Sequence, residues 1–412
     1  MRKEIPSRRK FLFDSARGGL ALLALGGLRK AAHAAEIARG GGLKTAHGAG
    51  PETAAFHVED PVGPPGASES IVAPTAEPTS ASPRLIRTTP ENMVWGYYGA
   101  DVPPIATIQD GETVAIQAVN MAGVSRKDPE AFFKNNNLPV DEQAQDMFDI
   151  IKNVKAEPSG LSGHMLTGPI YIEGAEPGDM LEVRILDITP RCGYGVNSVW
   201  HGGGDLPDAV TQGETFIYHY DKKRKFAWYK DVSIPMNPFM GVMAACPPAE
   251  MGRVTSIPPG FYGGNLDLKH LIKGTTLYLP VSVKGCLFTT GDSHAAQGNG
   301  EISGVAIEAP MTLTARFIIH KGKTIPHVRA ETPTHFIAIG LDADLAKAMR
   351  NAATAACNFI KDELGYTFNE AYSICSTGVN FEVTQAVDKT LGVHAMIPKA
   401  IFANRKFEYW KG

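Results

Sequence analysis

The sequence contains few cysteines, and no two of them form a recognisable motif. Five cysteines are spread over 412 residues, their number is odd, and no pair is arranged as Cys-x-x-Cys. A disulfide-dense scaffold is therefore excluded, and buried free thiols are the expected state. An exported protein with these cysteines could still form one or two bridges.

Several nucleotide-binding and hydrolase motifs are also missing. The chain has no Gly-x-Ser-x-Gly motif, so a serine-hydrolase interpretation fails. It has neither an internal repeat nor a strand followed by a glycine-rich helix start, which argues against a dinucleotide-binding or P-loop fold. With 43% hydrophobic and 20% charged residues, the composition is that of an ordinary globular protein. The 43 glycines and 29 prolines favour turn-rich β structure over a helical bundle.

Excess positive charge is absent from most of the chain. The formal net charge is -3, but residues 1–34 carry eight lysines and arginines against Glu4 and Asp14. These residues thus contribute +6 and the remainder -9. A negatively charged body argues against nucleic-acid binding and suits a small neutral or cationic ligand.

The sequence has no apolar run long enough to span a membrane. The apolar stretch at residues 18–28 is 11 residues long, whereas a membrane-spanning helix needs about 20. The pair Arg8-Arg9 precedes this stretch, and the small-x-small site Ala-His-Ala follows it at 32–34. This order is typical of an export signal, and the arginine pair resembles a twin-arginine signal. We therefore predict a twin-arginine signal peptide over residues 1–34 and a periplasmic or otherwise exported protein, with a cytosolic amphipathic helix as the alternative.

Residues 35–90 are rich in Ala, Gly, Pro, Ser and Thr and show no apolar period. Between Pro51 and Pro90 there are eight prolines and one aromatic residue, Phe56. Such a stretch cannot bury enough apolar surface to offset the entropy lost on ordering it. We predict a tether here, or an arm that lies over the folded domain and clasps another subunit. The folded domain is predicted to span residues 91–412.

From residue 91 onward, short β-type runs are separated by glycine and proline. These runs, rich in Val, Ile, Thr and Tyr, are Thr113–Val119, Met180–Ile188, Glu214–Tyr220, Thr276–Val283, Met311–His320 and His335–Gly340. Apolar residues at helical spacing predict helices over Asp141–Val154 and Asp342–Leu364, and a short helix over Asn369–Cys375. The sequence thus predicts a mainly β domain with a helical C-terminal segment.

The densest group of reactive side chains lies in the glycine-rich segment 291–301, GDSHAAQGNGE. Asp292 and His294 are two residues apart, so they project to the same side of an extended backbone. The glycines allow the loop to turn and bring Glu301 toward that pair. Two carboxylates and an imidazole can bind a divalent metal ion and leave a coordination position open for water. The alternative is a polar hairpin whose side chains only cap backbone groups.

Two upstream segments contain further candidate residues. In the segment 263–267, GGNLD, the side chains of Asn265 and Asp267 share one face, and the two glycines allow a ligand close to the backbone. A turn before a short helix is the alternative interpretation of this segment. His164 stands alone before a strand-turn-strand pattern that ends at Asp179.

Four motifs in this order resemble the acetamidase/formamidase family over about residues 91–405. They are the segment from His164 through TGPIYIEGAEPGD (167–179), GGNLD (263–267), GDSHAAQGNGE (291–301) and ETPTH (331–335). The resemblance implies a β-sandwich amidohydrolase that forms homo-oligomers. It implies hydrolysis of small linear amides, such as formamide or acetamide, to the acid and ammonia. It also implies a divalent metal ion, zinc in preference to calcium, near the second and third motifs.

The same resemblance assigns roles to residues by position. The predicted metal ligands are Asp267, Asp292 and His294. Glu301 is the predicted general base, which later protonates the departing amine. Apart from the resemblance, an amide hydrolase also needs hydrogen-bond donors to the oxyanion, and the predicted donors are Asn265, His164 and the backbone around Gly263.

Two positions depart from the family pattern. Tyr262 stands where a histidine usually precedes Gly-Gly-Asn-x-Asp, and Asn299 stands where an aspartate often precedes Gly-Glu. These departures leave two alternatives open. One is a non-catalytic exported binding or scaffold protein on the same fold, with a structural calcium held by oxygen ligands. The other is a hydrolase of lactams, esters or larger amides, because the same chemistry serves any acyl group.

Overall fold

The computed structural model describes residues 82–155 and 163–410 of the chain. The predicted signal peptide at residues 1–34 lies outside these residues, and so do residues 35–81 of the predicted tether or arm. The rest of the tether, residues 82–90, lies inside them. The structure therefore bears on the C-terminal end of the tether and on the predicted domain.

The described end of the predicted tether or arm, residues 82–90, packs on the folded domain. Arg84–Ile86 forms a strand, β1, that pairs in parallel with Thr113–Gln117. Ile86 and Thr88 are buried, so this part of the chain is held against the domain. A three-residue strand is too short to show a hydrophobic period, which explains why composition alone assigned it to the tether.

The described residues form 21 strands, four α-helices and two short 3₁₀ helices. In chain order, the strands after β1 are β2 (Met93–Trp95), β3 (Tyr97–Tyr98), β4 (Ala106–Ile108), β5 (Thr113–Gln117), β6 (Met165–Ile172), β7 (Met180–Pro190), β8 (Tyr194–Val199), β9 (Glu214–Tyr220), β10 (Phe226–Tyr229), β11 (Val232–Pro235), β12 (Phe239–Ala244), β13 (Val254–Thr255), β14 (Gly263–Asn265), β15 (Thr276–Pro280), β16 (Phe288–His294), β17 (Met311–His320), β18 (Arg329–Glu331), β19 (His335–Asp342), β20 (Asn380–Gln385) and β21 (Leu391–Pro398). The 3₁₀ helices are Ala249–Met251 and Lys399–Ile401.

Two large sheets form the body of the domain. Nine strands pair in the order β1-β5-β17-β7-β15-β18-β19-β21-β20, and six form a second sheet, β14-β12-β16-β6-β2 with β4 beside β6. A four-stranded sheet, β11-β10-β9-β8, and the pair β13-β3 complete the described strands. The two large sheets face each other across the main apolar core, where the rings of Phe288 in β16 and Phe317 in β17 are 4.9 Å apart. The predicted mainly β sandwich with a helical C-terminal segment is confirmed.

Burial patterns explain which strands the sequence predicted. In β17, Met311, Leu313, Ala315 and Phe317 are fully buried and alternate with more exposed residues, so the period of two is clear. The observed bounds of β17 and β9 equal those of the predicted runs. In contrast, β12 is buried along its whole length, shows no alternation, and was not predicted.

The four α-helices are α1 (Pro129–Asn135), α2 (Glu142–Asn153), α3 (Leu345–Leu364) and α4 (Phe368–Gly378). Three were predicted, and α2 and α3 agree with their predicted bounds to within three residues. The Asp344 side chain caps the start of α3, and Gly365 ends it in the left-handed conformation, with φ of 73°. The short helix α1 was not predicted, because seven residues are too few to show a helical period.

No helix in residues 82–155 and 163–410 has both the length and the apolar character needed to cross a bilayer. All five cysteines lie within these residues as buried free thiols, as expected. Burial raises the pKa of both Cys192 and Cys246 to about 12, which keeps these thiols protonated. A thiol in this state does not serve as a nucleophile at neutral pH.

Candidate active site

The order of strands in the six-stranded sheet brings two predicted carboxylates together. β12 lies between β14, which leads into Asp267, and β16, which contains Asp292. Gly241 of β12 lies against both side chains, since a Cβ atom there would be 2.4 Å from Asp267 Oδ1 and 2.9 Å from Asp292 Oδ2. Both distances are far below van der Waals contact, so the absence of a side chain at position 241 leaves room for the two carboxylates.

Three predicted acidic residues have an uncommon backbone conformation. Asp267, Asp292 and Glu301 have φ angles of 47°, 51° and 45°. A positive φ is unfavourable for residues other than glycine and persists only where the surrounding structure imposes it. Such backbone strain is concentrated at functional sites, and here it coincides with the predicted ones.

The structure brings the three predicted metal ligands within reach of one ion. One ligand atom each from Asp267, Asp292 and His294 lie within 4.8 Å of one another. His294 Nε2 is 3.5 Å from Asp292 Oδ2, and His294 Nδ1 is 4.0 Å from Asp267 Oδ1. Glu301 lies in the same cluster, because a carboxylate oxygen of Glu301 is also within 4.8 Å of a His294 nitrogen.

Gln297 fixes the orientation of the His294 imidazole. Its side-chain Nε2 donates to the backbone carbonyl of Asp267 at 2.9 Å, so its Oε1 accepts from His294 Nδ1 at 3.0 Å. His294 Nδ1 therefore carries a hydrogen, and Nε2 is directed into the cluster. Nε2 lies 3.2 Å from Glu308 Oε1, yet among the described residues it has no hydrogen-bond partner. A histidine whose second nitrogen is held in this way is typical of metal ligands.

His164 directs a hydrogen-bond donor toward the cluster. Its Nε2 is 3.7 Å from Asp292 Oδ2. Ser256 Oγ accepts a hydrogen bond from the His164 backbone N–H at 3.0 Å and lies 3.1 Å from His164 Nδ1. The Ser256 hydroxyl hydrogen is thus free to be donated to Nδ1, which places the imidazole hydrogen on Nε2.

Asn265 turns an acceptor rather than a donor toward the cluster. Its Nδ2 donates to the backbone carbonyl of Ile257 at 3.1 Å, whereas its buried Oδ1 has no hydrogen-bond partner within the described part of the chain. This orientation conflicts with the predicted role of Asn265 as an oxyanion donor, and the free oxygen suits a cation or an N–H group. Tyr262 is a core residue, whose ring lies 5.7 Å from that of Tyr98.

Three polar residues at this site were not predicted. Asn120 Nδ2 donates to Glu308 Oε2 at 2.8 Å, which holds Glu308 beside His294. Asp388 offers a carboxylate oxygen within 4.8 Å of those of the other acidic residues Asp267 and Glu301. Single polar residues in apolar runs, such as the glutamate in VAIEAPM and the asparagine in AVNMA, are a signal that could have revealed two of the three. The surroundings of Asp388, TQAVDKT, contain no such signal.

Burial makes several carboxylates of the cluster hard to ionise. It raises the pKa of Asp267 and of Glu301 well above the usual range, and neighbouring carboxylates add to the effect. Burial also raises the pKa of Asp388 to about 6. A proton on these carboxylates, or a cation bound between them, would offset this unfavourable ionisation.

Neighbouring charges outweigh burial at Asp292 and His294, and a metal ion at His294 Nε2 would replace the proton there. Burial by itself would raise the pKa of Asp292, but the imidazoles of His164 and His294 outweigh it and lower that pKa to about 2. Burial would lower the pKa of His294, but the carboxylates of Glu308 and Asp292 outweigh it and raise that pKa well above its usual range. Removing the His294 imidazole would leave the buried Asp292 carboxylate without a compensating charge, and removing the Asp292 carboxylate would do the same to His294.

The cluster lines a cavity of about 210 Å³. The polar residues around it are Asn120, His164, Asn265, Asp267, Asp292, Glu301, Glu308 and Asp388. The apolar residues around it are Val119, Met121, Ala122, Met165 and Val305. Pockets for drug-sized ligands usually measure about 300 to 1,000 Å³, so this cavity suits a smaller molecule.

Comparison with known proteins places the whole domain in one family. The sequence profile of the Acetamidase/Formamidase family matches residues 87–256 and 251–404. The chain is 27% identical over 360 residues to the formamidase of Methylophilus methylotrophus, covering 70% of this chain and 83% of that protein. It is 26% identical over 361 residues to the acetamidase of Mycolicibacterium smegmatis, covering 67% and 83%. Its fold is similar to the crystal structure of acetamidase from Bacillus halodurans, with a TM-score of 0.64, 29% identity and coverage of 77% of this chain and 99% of that one.

The extent of the profile match decides the assignment. It covers most of the described residues and includes every residue of the cluster, from Asn120 to Asp388. The same stretch contains the four motifs whose order resembled the family. The chain belongs to the acetamidase/formamidase family.

Proposed function

We propose that this protein hydrolyses small linear amides of the formamide or acetamide type to the carboxylic acid and ammonia. The observation that carries the proposal is the convergence of Asp267, Asp292, His294 and Glu301 at one cavity. The names of the two sequence relatives, formamidase and acetamidase, support it. A cavity of about 210 Å³ suits a short-chain amide better than a larger acyl group.

We propose further that a divalent metal ion, zinc in preference to calcium, is held by Asp267, Asp292 and His294. Asp267 Oδ1 and His294 Nε2 are buried without a hydrogen-bond partner among the described residues, and a cation between them would remove that unfavourable state. A nitrogen ligand together with carboxylate oxygens favours zinc, because calcium prefers oxygen ligands alone. Bound here, zinc would polarise the amide carbonyl and acidify a water molecule.

Glu301 is the proposed proton carrier. Burial raises the pKa of its carboxyl, which makes it a stronger proton acceptor than an exposed carboxylate. Its carboxylate lies beside the proposed ligands, within 4.8 Å of His294. Glu301 would accept a proton from the attacking water and transfer it to the amide nitrogen. This transfer is needed because an unprotonated amide anion is a very poor leaving group.

The remaining polar residues hold the substrate and the cluster in place. His164 Nε2–H would donate to the carbonyl oxygen as negative charge develops on it. Asn265 Oδ1 would accept the amide N–H of the substrate, because it is the free atom of that side chain. Gln297 keeps His294 Nε2 directed into the cluster, and Glu308 stays beside it.

Ammonia release before and after chelation tests this function. Purified protein is incubated with formamide, acetamide and propionamide, dialysed against a chelator, reloaded with zinc, and analysed for metal at each stage. We expect release from the short amides, a loss of about tenfold or more after chelation, and recovery with zinc. Release from none of the amides, with calcium or no metal bound, would instead favour the non-catalytic binding protein. Opening of a lactam in their place would favour the hydrolase of larger acyl groups.

We also propose that the protein is exported through the twin-arginine pathway and acts as a homo-oligomer. The order of charged, apolar and small residues in 1–34 supports export, and the family resemblance supports assembly. Cell fractionation of the full chain and of the Arg8→Lys/Arg9→Lys variant tests export, and we expect the variant to remain in the cytoplasm. Light scattering tests assembly, and a mass near the 44.2 kDa of one chain would contradict it.

A further inference from the structure

A second cluster of ligand-type side chains lies outside the proposed amide site. Glu382 of β20 and His394 of β21 are directly opposite each other in the register of these strands, so their side chains share one face of the sheet. His270, three residues after Asp267, packs against His394 with ring centroids 5.1 Å apart. One ligand atom each from His270, Glu382 and His394 lie within 4.8 Å of one another. The mechanism proposed above uses none of these three residues.

Two imidazole nitrogens of this cluster are buried and unpaired. His394 is 0% exposed, and its Nδ1 is hydrogen-bonded to Thr384 Oγ1 at 2.8 Å. Its Nε2 and the Nε2 of His270 are both buried, and neither has a hydrogen-bond partner among the residues that the structure describes. Native proteins rarely leave such atoms unpaired, because burial without a partner is unfavourable. A ligand shared by both nitrogens would satisfy them together.

The surrounding charges favour a metal ion over a proton as that ligand. Burial lowers the pKa of His394 to about 3, with further lowering by His270 and Lys269, and burial also lowers the pKa of His270. Both effects favour the neutral imidazole, which has a lone pair available for a ligand. Glu382 supplies negative charge, with Oε2 located 3.7 Å from His394 Nε2. Two imidazole nitrogens and a carboxylate oxygen form a common ligand set for zinc and related ions.

We propose that His270, Glu382 and His394 bind a second divalent metal ion of the zinc class, separate from the ion proposed at Asp267 and its neighbours. The Thr384 hydroxyl holds Nδ1 of His394 and so orients Nε2 toward the ion. Glu382 is 33% exposed, and His270 lines an open cavity of about 780 Å³, which gives the ion a path of entry.

The second ion holds the loop that carries Glu301. Asn299 Nδ2 donates to Glu382 Oε2, and the Gly300 backbone N–H donates to the Thr384 carbonyl at 3.0 Å. This loop is therefore hydrogen-bonded to the strand that provides the Glu382 ligand. Asn299 fits this role because it donates to the carboxylate, whereas an aspartate there would repel it. The second ion thus affects the amide site only by fixing the position of the loop that carries Glu301.

Counting bound cobalt(II) on the full-length protein tests the proposal. The protein is stripped with a chelator, reloaded with cobalt(II), and examined by elemental analysis and visible absorption spectroscopy. We expect Glu382→Gln and His270→Gln each to bind one cobalt fewer per chain than the wild type. We expect Asp292→Asn to lose the other cobalt and keep the absorption bands that Glu382→Gln lacks. His219→Gln, at an exposed histidine of β9, is the matched control and keeps the wild-type content.

The cobalt content of each variant can be measured whether or not the protein is catalytically active. Equal cobalt content in the wild type, Glu382→Gln and His270→Gln, with unchanged circular dichroism, would overturn the second site. Loss of one cobalt in both variants would support it even if the wild type releases no ammonia from any amide. That result would support the second metal site and contradict the proposed amide hydrolysis.

Discussion

Glu301→Gln is expected to release ammonia from formamide or acetamide about 100 to 10,000 times more slowly than the wild type. Glutamine keeps the size and hydrogen-bonding shape of the side chain but can neither accept nor deliver the proton that the leaving nitrogen needs. Because Glu301 is proposed to act in the chemical step, the loss should appear in kcat, with little change in KM. Steady-state kinetics with ammonia detection measures both constants.

Metal content separates loss of proton transfer from loss of the site. Asp267, Asp292 and His294 are unchanged in Glu301→Gln, so we expect the same zinc content as in the wild type. Glu173→Gln is the matched control, since Glu173 is exposed in a turn and does not line the cavity. A Glu301→Gln variant that keeps more than a tenth of the wild-type kcat would rule out Glu301 as the proton carrier.

Gly241→Ala is expected to lose the bound metal and to lower turnover by at least about 100-fold, while the protein still folds. The new Cβ would lie 2.4 Å from Asp267 Oδ1 and 2.8 Å from the backbone oxygen of Asp292. Moving the carboxylates relieves the contact with Asp267 Oδ1, whereas the contact with the Asp292 backbone oxygen needs a small shift of β12 relative to β16. Displaced carboxylates no longer point at a common position. Elemental analysis and ammonia release measure the two effects.

Gly193→Ala is the matched control for this substitution. Its Cβ would meet no described atom within 4 Å, and its φ does not lie in the left-handed region. We expect wild-type metal content and turnover from Gly193→Ala. Wild-type metal content in Gly241→Ala as well would show that the carboxylates at this position are not the metal ligands.

The candidate site was predictable where its residues lie close together in the chain. Asp292 and His294 lie close together because they are two residues apart in β16, although the positive φ of Asp292 departs from an extended backbone. The glycines around Glu301 indicated a turn, and the backbone of Glu301 is in the left-handed conformation, with φ of 45°. Short spacing and residue type were sufficient for these predictions.

The rest of the site depends on contacts between distant parts of the chain. Glu308 and Asp388 were missed because their approach to His294 and Asp267 depends on how strands and loops pair. The orientation of Asn265 is set by the Ile257 carbonyl, which its sequence neighbours do not reveal. The proximity of His270, Glu382 and His394 in the second cluster also depends on contacts between distant parts of the chain. Three separate segments bring those residues together, and none of the segments contains a recognisable metal-binding motif.

Local sequence patterns were sufficient for the mainly β class, the ends of the two longer helices, the free thiols and the chemical type of the candidate site. Each of these follows from local properties: side-chain alternation, apolar spacing, glycine and capping residues, and short motifs. The position of β12 between β14 and β16, which brings Asp267 to Asp292 across Gly241, is visible only in the folded domain. Strand order and register depend on burying both sheets against one core. That requirement acts between residues far apart in the chain and leaves no pattern at any single position.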